Sequence, residues 1–146
     1  MIVRFKKLDE NAVTPTYGKP GDACMDLTAI SKMYDANGNI VYGTGIAMEI
    51  PQGYVGLVFE RSSVASKDII LTNCVGVIDS GYRGEIMAKF KKIDPDNTYN
   101  KLSTEYNIGD RVAQIMIIPI PHVELELVDE LSESARGCGG YGSTGK

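Results

Sequence analysis

Several short stretches of this 146-residue chain gather side chains able to handle phosphate or a proton. In Gly76-Val-Ile-Asp-Ser-Gly-Tyr-Arg-Gly84, Asp79 sits at the tip of a tight turn behind two aliphatic residues, Val77 and Ile78, that read as buried. A carboxylate held on rigid scaffold and facing water is suited to act as a general base. An Asx turn in a hairpin is the commoner use of such a residue taken alone. Arg61-Ser62-Ser63 follows a strand pattern ending in Phe59-Glu60. Arginine and hydroxyls at a strand end can grip phosphate oxygens, although pairing of Arg61 with Glu60 accounts for the same residues. The segment from Arg136 to Lys146 combines glycines, which leave backbone N–H groups open, with the Ser143 and Thr144 hydroxyls and a guanidinium able to bind phosphate through two donors. A mobile Gly-rich terminus is the ordinary alternative there. Asp26, within Gly21-Asp-Ala-Cys-Met-Asp-Leu27, is a candidate outer ligand for a metal, against the default of an exposed turn aspartate.

The inventory excludes other chemistries. His122 is the single histidine, so a His-based zinc site and a Ser-His-Asp triad are both ruled out. Cys24, Cys74 and Cys138 are odd in number and far apart, which suggests reduced thiols and no disulfide framework. Oxygen-ligated Mg²⁺, commonly carried in on substrate phosphates, remains open. Gly137-Cys-Gly-Gly-Tyr-Gly142 fits G-x-G-x-x-G and Gly140 to Lys146 fits a phosphate-loop core, but both mechanisms need a strand before and a helix after, and neither is expected there. A net charge of −4 provides no basic field to gather nucleic acid, so any anionic ligand must be held by local groups. No apolar run approaches the ~20 residues of a membrane span, and Met1-Ile-Val-Arg-Phe-Lys-Lys7 has no signal-like apolar stretch behind it. A cytoplasmic protein without a membrane partner is therefore expected.

The elements that must position these residues read as short strands. Apolar residues alternate at Ile46, Met48 and Ile50, at Val55, Leu57 and Phe59, and at Val123, Leu125 and Leu127 against Glu124 and Glu126. Each pattern predicts a strand with one buried face. Arg111 to Pro119 is more continuously apolar, as in a strand covered on both sides, with Gly109-Asp110 supplying the turn before it. Turns are signalled at Lys19-Pro-Gly-Asp22, Asn37-Gly-Asn39, Pro51-Gln-Gly53, Ser80-Gly81 and Asp94-Pro-Asp-Asn97. Only Ser62 to Asp68 could form a turn or two of helix. With 43% hydrophobic residues and 23% charged, the chain predicts one globular all-β domain, a sandwich, jelly roll or barrel with at most one short helix.

In identity and order the clusters match five motifs: Gly21-Asp-Ala-Cys-Met-Asp-Leu27, Arg61-Ser-Ser-Val-Ala65, Gly76 to Ile86, Gly109-Asp-Arg-Val-Ala-Gln-Ile115 and Arg136 to Gly145. Together they resemble the homotrimeric dUTP pyrophosphatase family over nearly the whole chain. That resemblance implies a jelly-roll-like β-sandwich or barrel over residues 1–135 and a flexible glycine-rich arm over 136–146. It also implies a homotrimer in which the arm closes over dUTP at a neighbouring site and more than one subunit builds each site. The reaction implied is Mg²⁺-assisted hydrolysis of dUTP to dUMP and pyrophosphate. Asp79 would activate the attacking water, and Ser62 would stabilise charge on the α,β-bridging oxygen. Arg61 and Gln114 would contact the phosphates, Arg136 would hold the γ-phosphate, and Asp26 would reach the metal through water. Tyr82 would lie against the deoxyribose, Asn73 would read the uracil edge and Tyr141 would stack on it. Ser63, Val77, Ile78, Gly139, Gly142, Ser143 and Thr144 complete the implied substrate contacts.

Some positions depart from the family pattern. Glu60 and Ser63 stand where many members have Pro and Gly, Tyr141 replaces the usual Phe, and the stretch Lys92 to Tyr106 is longer and more polar. Two alternative readings are a dCTP deaminase of the same fold and a nucleotide-binding regulatory protein without turnover. Lys89 opposes the first, since that family carries a catalytic glutamate close to this position. The joint presence of Asp79, Ser62, Gln114 and Arg136 opposes the second.

Overall fold

The computed structural model describes residues 1–93 and 105–140, and eleven strands lie among them. They are β1 (Arg4–Lys7), β2 (Thr16–Tyr17), β3 (Met25–Thr28), β4 (Ser31–Tyr34), β5 (Ile40–Gly43), β6 (Ile46–Glu49), β7 (Tyr54–Phe59), β8 (Ile69–Leu71), β9 (Gly76–Ile78), β10 (Met87–Lys92) and β11 (Arg111–Pro119). A 3-10 helix over Ser62–Ser66 is the short helical segment expected after β7. No helix among the described residues is long and apolar enough to cross a membrane.

Pairing is antiparallel throughout these residues. One sheet runs β4-β5-β10-β8, a second runs β2-β3-β11-β7-β9, and β1 pairs β6. The core fills the space between the two larger sheets. Ile40, Tyr42, Ile69, Leu71, Ala88 and Phe90 enter it from one side, and Leu27, Val58, Val112, Ala113 and Ile115 from the other. Two facing apolar layers with polar outer faces are what an antiparallel sandwich requires. The architecture is all-β and jelly-roll-like, as expected.

Turn chemistry explains several connections. Gly21, Gly38, Gly53 and Gly109 all adopt positive φ, and backbone bonds such as Tyr54 N–H to the Pro51 carbonyl (3.1 Å) close the loops around them. The Asp94-Pro-Asp-Asn97 turn lies outside the described residues.

Two strand expectations need correction. β7 directs Gly56 and Val58 inward, while Leu57 and Phe59 are half-buried on the other face, so the predicted Val55-Leu57-Phe59 face is not the core face. Glycine conceals the true alternation. A Cβ at Gly56 would lie 2.7 Å from Ile50 Cδ1 and 3.2 Å from Ile115 Cδ1, so the inward position is filled by neighbours. Residues 120–128 form no strand, and Leu125 and Leu127 are 95% and 99% exposed. The alternation is real, but no strand edge among the described residues accepts it.

Candidate active site

Asp26, Arg61 and Gln114 meet because β11 lies between β3 and β7. Gln114 pairs with Asp26 on one side and with Phe59, two residues before Arg61, on the other. Asp26 Oδ1 accepts a hydrogen bond from Arg61 Nε at 2.6 Å, and Asp26 Oδ2 accepts one from an Arg111 terminal nitrogen at 2.9 Å. One carboxylate thus orients two guanidiniums, at about half the solvent access for Arg61 that Arg111 has. Gln114 donates to the Glu60 carbonyl at 2.7 Å, fixing its side-chain amide. Lys19, Asp22 and Cys24 join these residues around a cleft of about 480 Å³. Burial, and then the Asp26 charge, push the Cys24 thiol up, which disfavours its thiolate.

Arg111 is a site residue that residue-by-residue reading missed. Residues 111 and 114 differ by an odd number and should face opposite sides of a regular strand. The register of β11 against β3 shifts between Arg111 and Ala113, and this bulge turns both side chains into the one cleft. Its place in the fourth motif, close to Gln114, was the available signal.

The loop after β7 accommodates both departures from the family pattern. The Glu60 carboxylate accepts the Leu71 backbone N–H, which ties the end of β7 to β8. The Ser63 hydroxyl is 3.0 Å from the Tyr106 hydroxyl. Ser62 is exposed at the start of the 3-10 helix, next to Arg61. Arg61 forms its ion pair with Asp26 and not with Glu60.

A second cluster lies elsewhere on the same chain. Asp79 is exposed just after β9, and Tyr82 N–H closes its turn onto the Asp79 carbonyl at 3.0 Å. Tyr82 donates its hydroxyl to the Glu85 carbonyl at 3.0 Å, which fixes the ring. Val77, Ile78, Asp79, Tyr82, Glu85 and Met87 line a pocket of about 260 Å³. Val77 is 61% exposed and only Ile78 packs on the core, so the expectation that both are buried is corrected. β9 is a sheet edge, which leaves Val77 facing outward. Asn73 is exposed ahead of it, beside Cys74, whose φ of 59° is left-handed.

The two clusters are not brought together within one chain. Ile78 pairs with Gly56, so Asp79 lies level with the start of β7, whereas Arg61 lies beyond its end. At ~3.3 Å per residue the separation along the strand is about 20 Å. Arg136 forms a third piece: its Nε donates to the Gly139 carbonyl at 2.8 Å and the Gly139 N–H returns to the Arg136 carbonyl at 3.0 Å. Tyr141, Gly142, Ser143 and Thr144 lie outside the described residues. Lys89, the residue that opposes deaminase chemistry, is ion-paired with Asp35 at 3.0 Å.

This β-sandwich with a cationic cleft and a separate carboxylate-bearing pocket has close relatives. A family model described as dUTPase matches residues 10–145, and the chain belongs to that family. It is 40% identical over 145 residues to the deoxyuridine 5'-triphosphate nucleotidohydrolase of Thermobifida fusca, covering 98% of this chain and 78% of that protein. The protein of the same description from Desulfitobacterium hafniense is 41% identical over 150 residues, covering 98% and 94%. Among solved structures, a mutant dUTPase of Staphylococcus bacteriophage 80alpha with dUpNHpp superposes with a TM-score of 0.84 at 29% identity, covering 99% of both chains. A mutant dUTPase from phage phi11 of S. aureus, described as coordinating a structural Mg(II) ion, gives 0.75 at 27% identity, covering 89% and 98%.

Proposed function

We propose that this enzyme hydrolyses dUTP to dUMP and pyrophosphate at sites built jointly by copies of the chain in a homotrimer. The observation that carries the reading is the complementarity of the two separated clusters. The Asp26–Arg61–Arg111–Gln114 cleft offers donors for a triphosphate, but of its two carboxylates Asp26 faces two arginines and Asp22 accepts the Lys19 backbone N–H. The Asp79 pocket offers an exposed carboxylate beside aliphatic and aromatic walls suited to a nucleoside, but its lining includes no cation. Placed face to face across two copies, each supplies what the other lacks. The apolar, exposed Val123-Leu125-Leu127 segment supports association, since an alternating strand without a partner in its own chain can complete a sheet edge of another.

In the joint site Asp79 takes a proton from water as its oxygen attacks the α-phosphorus. The bond from that phosphorus to the α,β-bridging oxygen breaks, and pyrophosphate leaves with the electron pair. Ser62 at the start of the 3-10 helix, Arg61 and Gln114 stabilise the charge moving onto the leaving group, a contribution commonly worth several kcal/mol in a site closed to water. Ser63 serves the phosphates through its backbone, because its hydroxyl is engaged by Tyr106. Tyr82 packs on the deoxyribose, with Asn73, Val77 and Ile78 around the uracil. Arg136 and Gly139 lead the arm of residues 136–146, which closes with Tyr141 on the base and Gly142, Ser143 and Thr144 at the phosphates.

Among the described residues no three His, Cys, Asp or Glu side chains converge as a metal cage. The donor set fits Mg²⁺ that arrives on the substrate and meets Asp26 through water. When bound there, Mg²⁺ would neutralise triphosphate charge and fix its geometry.

The test is to incubate the protein with Mg²⁺ and either dUTP or dCTP, following pyrophosphate and the identity of the base. Pyrophosphate from dUTP alone is expected; deamination of dCTP, or binding without turnover, would replace this reading. Joint sites are tested by co-refolding inactive Asp79→Asn and Arg61→Ala chains. Recovered activity supports shared sites, and persistent inactivity opposes them.

A further inference from the structure

The catalytic segment after β7 is weakly held by its own bonds. The 3-10 helix Ser62–Ser66 has no side-chain cap at Arg61 and buries none of its residues fully. Its backbone closure rests on Val64 N–H to the Arg61 carbonyl (2.9 Å) and Lys67 N–H to the Val64 carbonyl (2.8 Å). So short a helix cannot specify its own orientation, yet Ser62 must be aimed for the charge stabilisation described above to work.

Tyr106 supplies an external anchor. It is 3% exposed, and its ring packs against both Tyr42 and Phe90, with centroids 6.1 and 5.9 Å away. Its carbonyl accepts hydrogen bonds from the Tyr42 hydroxyl at 3.0 Å and from Lys32 Nζ at 3.2 Å. From this fixed position its hydroxyl reaches the Ser63 hydroxyl at 3.0 Å, one residue from Ser62. Lys67, at the far end of the helix, lies 4.3 Å from the centroid of the same ring and donates to the Glu105 carbonyl at 3.3 Å. Both ends of the catalytic segment are therefore fastened to one buried aromatic residue that packs on Tyr42 and Phe90 of the other sheet.

We infer that Tyr106 is a positioning residue for the hydrolysis, acting through the Ser63 hydroxyl to orient Ser62. This inference rests on the proposed role of Ser62. Tyr106 touches no substrate, so its loss affects the transition state and leaves nucleotide binding largely unchanged.

The experiment compares Tyr106→Phe, Ser63→Ala and the double variant with the wild-type enzyme in dUTP hydrolysis. The affinity of each for non-hydrolysable dUpNHpp and its thermal melt are measured alongside. Tyr106→Phe keeps the ring in the core and removes only the hydroxyl. Each single change is expected to lower kcat roughly three- to tenfold, with dUpNHpp affinity within about twofold. The double variant should fall no further than the worse single one, because both changes break the same bond. Wild-type kcat in Tyr106→Phe, or losses that multiply in the double variant, would overturn the inference while leaving dUTP hydrolysis intact. If Tyr106→Phe does not fold, Ser63→Ala alone decides: unchanged kcat overturns the inference and a selective kcat loss supports it. A wild-type protein inert toward dUTP brings down this inference together with the proposed reaction.

Discussion

In the proposed reaction Asp79 has a different job from the residues that grip the phosphates, and the difference is measurable. It is exposed, its turn is closed by Tyr82, and no arginine is among the residues that line its pocket. Asp79→Asn keeps the shape and hydrogen-bonding size of the side chain while removing its capacity to take a proton. Turnover should drop by roughly 10²- to 10⁴-fold, with dUTP affinity nearly unchanged by calorimetry. Near-normal turnover would remove Asp79 from its role as base. The fold places Arg61 and Gln114 in one cleft and Asp79 in another pocket. At this scale the sequence named Asp79, Arg61 and Ser62 as candidates by residue type, and Gln114 by the motif resemblance. It was silent on Arg111, whose inward direction depends on a bulge that no residue type announces. It was also silent on Tyr106, which meets Ser63 across 43 residues of chain.

The elements are fastened by polar groups as well as by the core. Glu105 receives Lys32 Nζ at 2.6 Å, Lys92 Nζ at 2.7 Å and the Tyr34 hydroxyl at 2.8 Å, joining β4 and β10 to the segment that leads into Tyr106. Burial raises the pKa of this carboxyl, but the bonds from Lys32, Lys92 and Tyr34 outweigh burial and hold it at about 2, against an ordinary 4.5. Because the folded-state value is depressed, the stabilisation is complete above about pH 4.5 and is lost as pH falls toward 2. Glu105→Gln should cost about 2 kcal/mol at neutral pH and flatten the acid limb of a stability-against-pH curve measured by denaturant unfolding. An acid limb identical to the wild type would show the network to be idle. Element types were largely readable: β6 and β11 fall where alternation and the continuous apolar run predicted. Register was less so, because β7 hides its inward face behind Gly56, where neighbouring isoleucines take up the space.

At the scale of the molecule, the sequence motifs pointed to one site and the single chain presents its parts about 20 Å apart. Periodicity reports that a face needs covering and does not say which chain covers it, which is why Val123, Leu125 and Leu127 read as a strand and stand exposed here. Arg136 and Gly139 pose a similar case: they bond to each other in a local turn, and neither belongs to the hydrophobic core. A variant ending at Ala135 should fold with an unchanged melt yet lose most dUTP turnover. Equal kinetics for the truncated and full-length proteins would show that the arm takes no part.

The two nearly naked leucines at 125 and 127 carry one more consequence. If a companion subunit shelters them, dilution strips away that shelter and dismantles the composite catalytic centre at the same time. Specific activity should then decline below some threshold of protein, and melting temperature should climb with concentration by mass action. Such an enzyme measures its own abundance.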